Sequence, residues 1–318
     1  MNSISEAQIF DRISVIEYKN DIWNKSYKEG LYFSAMEELG RPIDIHMGIK
    51  KRGNSNLSWF TVPHALHDGL SALSVLSREQ NFDINIPRVE SRKPRSWFRA
   101  LYSAITSSPK EVHNFKDQDF NYRDSDFTHT SIKLKKYDAK VSSTALLATV
   151  VCKHLMNELS HNSSSRWMVP VRLRDDNGLQ ASYVGINIEK EDNELDIHYK
   201  LKEKLKNGEH WGFSLISKIG LMIGKECILY LTKKNVLSSK TIWMGSISNL
   251  GNLGVSRELE DLVILSPVRF HRPLGVALYE LNGEQVVTIS IHKSIKKVDI
   301  DEIGKSIEHE YSTYQFSK

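Results

Sequence analysis

The sequence contains little cysteine: only Cys152 and Cys227 occur among its 318 residues. Two cysteines cannot supply the disulfide framework of a small secreted domain, so the composition favours a reducing compartment. An excess of charge of one sign is also missing, because 43 lysines and arginines stand against 39 aspartates and glutamates. The acidic residues lie among the basic ones, and we therefore predict no basic stripe for nucleic acid.

Long hydrophobic runs are absent as well. The most apolar long segment, residues 213–231, is interrupted by Lys218, Lys225 and Glu226, which favours a packed helix over a membrane span. The first residues, MNSISEAQIFDRI, lack the basic segment and apolar stretch of a signal peptide. We therefore expect a soluble, cytoplasmic protein without a membrane-spanning helix.

The chain alternates segments of strand-like and helix-like periodicity. Strands are predicted at 43–49, 57–62, 130–134, 166–173, 183–189, 241–248, 262–270, 274–280 and 285–292. Helices are predicted at 26–39, 69–78, 142–159, 193–206, 213–231 and 299–311. This pattern indicates an α/β (α+β) protein of two lobes, each a mixed sheet flanked by helices.

The lobes are predicted to join through a basic segment that has no clear period. We place the N-terminal lobe at 1–90, a crossover or linker at 91–128 and the C-terminal lobe at 129–318. The crossover begins with the run SRKPRSWFR, which combines Arg92, Lys93, Arg95 and Arg99 with Trp97. Such a cluster suits the phosphates of coenzyme A or the acidic helix of a carrier protein. The simpler interpretation, a solvated connection, is slightly favoured.

The stretch TVPHALHDGLSAL, residues 61–73, places two histidines, an aspartate and a glycine between a predicted strand and a predicted helix. A histidine at the end of a strand, with an ordinary pKa near 6.5, suits a general base. It would take a proton from a hydroxyl, amine or thiol that attacks a carbonyl. Asp68 either orients that histidine or pairs with an arginine elsewhere, and Gly69 permits a tight turn.

The spacing His64-x-x-x-Asp68-Gly69 resembles the signature of the chloramphenicol acetyltransferase-like superfamily, which includes the condensation domains of nonribosomal peptide synthetases. Three further segments resemble that family: VPVRLR at 169–174, YVGIN at 183–187 and SISNLGNLG at 246–254. The resemblance extends roughly from residue 57 to the C-terminus. It implies a two-lobed sandwich with an active-site tunnel between the lobes.

The resemblance also implies roles for individual residues. His64 would be the catalytic base in the transfer of an acyl group from a coenzyme A or carrier-protein thioester to a hydroxyl or amine. Asp68 would form a buried ion pair with an arginine of the second lobe. Arg174, at the end of its strand, is the first choice for that partner and Arg172 the second. Gly69 would keep the turn open for the tunnel.

The oxyanion of the tetrahedral intermediate would be bound by hydroxyl and amide donors at Ser246, Ser248 and Asn249. Candidates for binding the donor are Arg92, Lys93, Arg95 and Trp97. No bound cofactor or metal is expected, and the partners would be a small-molecule acceptor and the acyl thioester. A role in secondary metabolism follows by analogy only.

The chain departs from the family's patterns in three ways. Pro63 stands where many condensation domains have a second histidine, which favours a stand-alone acyltransferase. The Asp-Phe-Gly-Trp-Gly motif of the plant enzymes is absent. Only 63 residues precede the motif histidine, so the N-terminal sheet is either trimmed or completed by another subunit.

Two alternatives to an acyltransferase remain open. One is a non-catalytic relative that keeps the fold as a binding module. The other is a metal phosphohydrolase that uses the doublet His67–Asp68, although such doublets sit on helices of all-helical folds. His67 itself more simply caps a backbone group or faces solvent, His271 belongs to a surface loop, and Cys152 is a core residue.

Overall fold

The computed structural model describes the chain from residue 43 onwards with short gaps. The described residues are 11–12, 36, 39, 43–64, 67–87, 91–107, 113–120, 126–135, 141–173, 181–237 and 243–316. The helix predicted at 26–39 lies almost wholly outside them.

Ten strands are described. They are β1 Asp11–Arg12, β2 Asp44–Lys51, β3 Ser58–Pro63, β4 Phe127–Leu134, β5 Ser164–Arg172, β6 Ala181–Glu189, β7 Gly245–Asn252, β8 Leu259–Leu265, β9 Leu274–Leu281 and β10 Glu284–His292. The helices are α1 Gly69–Glu79, α2 Trp97–Thr106, α3 Ser143–Leu147, α4 Lys153–Leu159, α5 Glu194–Asn207, α6 Glu209–Ile223, α7 Lys225–Leu237 and α8 Ile300–Phe316. A π-helical segment, Ala148–Cys152, joins α3 to α4.

The smaller sheet combines the N-terminal strands with one strand from far along the chain. Its order is β1-β3-β2-β8, with β1 parallel to β3 and the other neighbours antiparallel. Strand β8 pairs Ile264 with Met47 and Leu262 with Ile49 of β2. The second half of the same chain therefore supplies the fourth strand of this sheet.

The larger sheet has the order β4-β10-β9-β7-β5-β6 and is also mixed. Strands β9 and β10 form a hairpin, whereas β7 is parallel to both β5 and β9. The pairing between β5 and β7 covers only two positions, Trp167 opposite Gly245 and Met168 opposite Ser246. The rest of β5 is not paired with β7.

Alternation along the strands gives the larger sheet two different faces. On β5, Trp167 and Val169 enter an apolar core with residues of α3, α4, α5 and α8. The alternate residues Met168, Pro170 and Arg172 point to the other face. The smaller sheet lies on that second side, where Thr288 of β10 donates to the carbonyl of Ile264 at 2.5 Å.

Two predictions about the helices are wrong. The segment predicted as one helix at 213–231 is broken at Gly224, whose φ of 100° is strained for residues other than glycine. The segment assigned to an aperiodic crossover contains α2, which begins at Trp97 after Ser96 caps it by accepting from the backbone N–H of Arg99. None of the described helices is long and apolar enough to cross a membrane.

Candidate functional site

His64 follows β3 directly and opens the connection to α1. Its backbone N–H donates to the carbonyl of Ile43 at 2.9 Å, which extends the pairing of β3 with β2 by one residue. Its half-buried side chain lines a cavity of about 110 Å³. The ring is thus held where the smaller sheet meets the polar face of the larger one.

The imidazole of His64 is oriented by its own loop. Its Nδ1 lies 2.9 Å from the carbonyl oxygen of His67. A carbonyl oxygen only accepts hydrogen bonds, so Nδ1 carries the proton in the neutral ring and the basic lone pair is on Nε2. This is the tautomer that a base acting through Nε2 requires.

Burial and, to a smaller extent, the nearby positive charge of Arg272 together lower the pKa of His64 to about 4. The hydrogen bond to the carbonyl of His67 acts the other way. The ring is therefore neutral at physiological pH. Its lone pair is ready to accept a proton, but the imidazolium that results is disfavoured until other groups stabilise it.

Asp68 has two structural roles at the start of α1. It is the N-cap of that helix, and its Oδ1 accepts from the backbone N–H of Ser71 at 2.8 Å. Its Oδ2 lies 3.8 Å from Nε of Arg172, and the two side chains are only 8% and 10% exposed. The described partner is thus Arg172, the second choice, whereas Arg174 lies outside the described residues.

Gly69 is the first residue of α1 and lines the cavity. It is not among the glycines with positive φ, so the turn does not depend on its conformational freedom. A Cβ at this position would lie 3.0 Å from Cδ2 of Leu250 on β7. The glycine therefore allows the close approach of β7 to the helix terminus.

Two serines predicted as oxyanion donors lie on the polar face of β7. Ser248 lines the cavity, and its Oγ is 3.4 Å from Oγ of Ser266. Ser246 is buried, does not line the cavity, and its Oγ lies 2.9 Å from the same Ser266 hydroxyl. Of the two, Ser248 is the one placed to reach a bound molecule.

Asn249, the third predicted donor, also lines the cavity, but its amide is engaged elsewhere. Its Nδ2 donates to Oγ1 of Thr144 on α3 at 3.0 Å, and its Oδ1 accepts from the backbone N–H of Gly251 at 2.9 Å. These contacts turn the side chain towards α3, and they give Asn249 a role in positioning β7.

Sequence reasoning missed Ser266, which lines the same cavity as His64, and Arg272, whose charge acts on the His64 ring. Ser266 and Arg272 lie in the segment between β8 and β9, about 200 residues from the motif. Arg272 donates to the carbonyl of Pro267 at 3.3 Å and lies 3.1 Å from the sulfur of Met168. Only the fold brings this loop to His64, and the run RFHRPLG carries no local signal of the contact.

The proposed donor-binding cluster lies apart from the cavity. Arg92, Lys93 and Arg95 are exposed on the segment that leads into α2, and none of them lines the cavity. Trp97 is half exposed, and its ring is 5.8 Å from that of Trp211 in an edge-on contact. Their part in binding an acyl donor stays a prediction.

The second histidine of the motif, His67, contacts the helix that follows it. Nδ1 of His67 lies 2.6 Å from Oγ of Ser71, so this ring braces the first turn of α1. Within the described parts of the chain, no group of three His, Cys, Asp or Glu side chains is arranged to hold a metal ion.

Neither a protein-family model nor a curated protein matches the sequence. Among solved structures, the cyclization-docking bidomain of the nonribosomal peptide synthetase EpoB from Sorangium cellulosum is similar at 14% identity and a TM-score of 0.51. That similarity covers 81% of this chain and 59% of the bidomain.

The wax ester synthase/diacylglycerol acyltransferase from Marinobacter aquaeolei VT8 is similar at 11% identity and a TM-score of 0.50, over 80% of this chain and 68% of the enzyme. The nonribosomal peptide synthetase FmoA3 is similar at 9% identity and a TM-score of 0.51, over 82% of this chain and 31% of that protein. The chain thus spans a third to about two thirds of these relatives.

These neighbours belong to the chloramphenicol acetyltransferase-like superfamily, and the chain has their fold. The expected architecture of this superfamily, two mixed sheets flanked by helices, is confirmed, whereas the roles implied for residues 64–69 stay predictions. At identities of 9–14%, the likeness establishes the fold and leaves the reaction to be argued from the site.

Proposed function

We propose that this protein is an acyltransferase that moves an acyl group from a thioester to a hydroxyl or amine. The observation that carries the proposal is the way in which the ring of His64 is held. Its Nδ1 is held by the carbonyl of His67 at 2.9 Å, and its ring lines the cavity between the two sheets. A neutral imidazole with its lone pair on Nε2 is what base catalysis of acyl transfer requires.

The reaction begins when Nε2 of His64 takes the proton of the acceptor as its oxygen or nitrogen attacks the thioester carbonyl. The tetrahedral intermediate carries its negative charge on the former carbonyl oxygen, and the hydroxyl of Ser248 is the donor proposed to stabilise it. When the intermediate collapses, the carbon–sulfur bond breaks. The leaving sulfur then takes the proton back from His64, which returns the ring to its neutral form.

Asp68 and Arg172 support this chemistry from a distance. The carboxylate caps α1 and contacts a guanidinium on β5, so it joins the motif loop to the larger sheet. Both residues line the same cavity as His64. Their proposed function is to fix the loop, because the Nδ1 of His64 is held by a carbonyl and not by Asp68.

The donor is proposed to be coenzyme A or an acyl carrier protein, which acts as a co-substrate and not as a bound cofactor. The acceptor would be a small molecule with a hydroxyl or amine. Histidine and hydroxyl groups suffice for thioester chemistry, so the proposal requires no metal.

The test is an assay of thiol release from a panel of acyl-coenzyme A donors with pooled alcohols and amines, followed by acyl carrier proteins as donors. The expected result is acceptor-dependent thiol release that falls by about 100-fold or more in His64→Ala. The matched control is His309→Ala, which removes an exposed imidazole on α8. Equal turnover in His64→Ala and the parent protein would overturn the proposed mechanism.

A non-catalytic binding module is the second candidate, and the lowered pKa of His64 favours it. A ring whose pKa is about 4 is a weaker base than an ordinary histidine. For this alternative we expect the cavity to bind an acyl thioester or its thiol with no thiol release under any donor. Calorimetric titration of the parent protein that shows binding, together with no thiol release in the assay, would identify the binding module.

A further inference from the structure

Helix α2 presents most of its large apolar side chains to solvent, with Leu101 partly buried, and its small ones to the protein. Trp97, Phe98, Tyr102 and Ile105 are exposed, and at 100° per residue they fall within an arc of 140°. Ala100 and Ala104 lie outside that arc and are fully buried. A helix packed only to stabilise the protein core would have the reverse arrangement.

The alanines of α2 allow it to lie tightly against α6. A Cβ on Gly212 of α6 would overlap the backbone oxygen of Ala100 and approach Cβ of Ala104 to 2.8 Å. The two helices therefore form one layer. α6 and the following α7 add further exposed apolar residues, namely Ile216, Ile219, Met222, Ile223, Tyr230 and Leu231. We call these ten side chains of α2, α6 and α7 the apolar surface.

The apolar surface contains side chains that project far into solvent and others, such as Ile216 and Ile219, that are only partly exposed. Phe98 is 80% exposed and Met222 is 86% exposed, so they do not line a groove shaped for one ligand. Projecting apolar residues suit insertion into a fluid, deformable phase better than the complementary packing of a protein interface. Trp97, Tyr102 and Tyr230 add rings with polar tips, which favour the boundary between lipid and water.

Basic residues accompany the apolar surface. The stretch 91–107 contains Arg92, Lys93, Arg95 and Arg99 and no acidic residue. On α7, Lys233 and Lys234 are exposed close in sequence to Tyr230 and Leu231. Exposed apolar side chains combined with lysines and arginines are the combination that binds anionic lipid headgroups and the acyl region below them.

We propose that the apolar surface of α2, α6 and α7 docks this protein onto an anionic lipid surface. The protein would lie on the membrane and not span it. This proposal concerns a surface distinct from the cavity, and it holds whether or not the protein transfers acyl groups.

The experiment is co-sedimentation of the full chain with vesicles of phosphatidylcholine alone or with roughly 30% phosphatidylglycerol. We expect binding to the anionic vesicles that weakens when salt rises from about 0.05 M to about 0.5 M. Phe98→Ser/Met222→Ser is expected to lower the bound fraction by about fivefold or more, and Arg95→Glu/Arg99→Glu to abolish the preference for anionic lipid.

The matched control is Val255→Ser, because Val255 is 73% exposed but lies between β7 and β8. It should bind vesicles as the parent protein does. Circular dichroism and thermal melts confirm that each variant is folded, which is expected because the altered side chains are exposed. As a second measurement, brominated lipids should quench tryptophan fluorescence in the parent protein more strongly than in Trp97→Phe.

Three outcomes would overturn the proposal: no binding to anionic vesicles, equal binding by the parent protein and Phe98→Ser/Met222→Ser, or equal loss in Val255→Ser. Sedimentation velocity tests whether a second copy of the chain covers the apolar surface instead. A dimer that dissociates in Phe98→Ser/Met222→Ser, without vesicle binding by the parent protein, would make this surface an interface between two copies of the chain.

Discussion

The two faces of the larger sheet differ in chemistry although the same strands build them. One face carries Trp167, Val276 and Ile289, all in the apolar core beneath the helices. The other carries polar or charged groups at intervening positions, such as Arg172 and Ser248, and the cavity lies there. A single alternating strand thus contributes to stability with one set of residues and to the site with the next.

The comparison predicts that substitutions on neighbouring residues have different consequences. On the core face, a smaller side chain leaves a void among close-packed groups and lowers the free energy of unfolding. On the polar face, a substitution alters charges and hydrogen bonds between the two sheets. Such a substitution is expected to change the pH dependence of stability, the coupling energy of ion pairs, or the binding of a molecule in the cavity.

The largest expected effect is on the core face, at Trp167. Its side chain is fully buried, and its Nε1 donates to Oγ of Ser165 at 2.9 Å. We expect Trp167→Ala to lower the free energy of unfolding by about 3–5 kcal/mol, measured by urea denaturation. The matched control, Met168→Ala, removes a half-buried residue of the opposite face and should cost clearly less. Equal costs would contradict the difference between the faces.

A smaller effect is expected from the ion pair that joins the motif loop to the polar face. Asp68→Asn keeps a good helix cap but removes the carboxylate near Arg172, so we expect a loss of about 3 kcal/mol in urea denaturation. The double variant Asp68→Asn/Arg172→Met should recover part of that loss, because the buried positive charge is then also removed.

The control is an ion pair that is more exposed and whose charged atoms lie closer together. Nζ of Lys50 lies 2.8 Å from Oε1 of Glu260, whose side chain is 52% exposed. Glu260→Gln should change the free energy of unfolding by less than about 1 kcal/mol. Strict additivity of Asp68→Asn and Arg172→Met would mean that the two buried groups do not interact.

Much of the fold could be predicted from the sequence because the two faces of its strands differ. The hairpin of β9 and β10 and the strand at β5 were predicted to within two residues at each end, since alternation and turn residues mark them. The position of His64 between a strand and a helix was also readable. That position is encoded locally, because a strand ending at Pro63 is followed by His64 and then by Asp68, which caps the helix.

The remaining features depend on contacts that alternation does not encode. Nothing in the run at 259–265 indicates that β8 leaves its neighbours in sequence and pairs with β2. Arg172 and Arg174 are two residues apart in the sequence, so alternation assigns both to the same face and does not choose between them. Helix α2 was missed because its buried residues are alanines and its large apolar residues face solvent.

The smallest expected effect is a loss of folding stability at low pH, which we attribute to a buried histidine on the polar face. His129 of β4 is 5% exposed and packs edge-on against Trp59 at 5.0 Å between ring centres. Burial lowers its pKa to about 4, although the negative charge of Asp301 acts in the opposite direction. The unfolded chain, whose histidines have a pKa near 6.5, therefore binds a proton that the folded chain does not bind between pH 6.5 and pH 4.

The sign of the pH effect follows from that difference. The free energy of unfolding falls as the pH is lowered from about 6.5 to about 4 and is unaffected by this group above that range. In His129→Gln, urea denaturation at about pH 7.5 and about pH 5 should give a smaller drop than in the parent protein. His309→Gln removes an exposed ring on α8 and should leave the drop unchanged. If His129→Gln and the parent lost the same stability, the acid sensitivity would have to come from other buried histidines, of which His46 and His113 also have a pKa lowered to about 4.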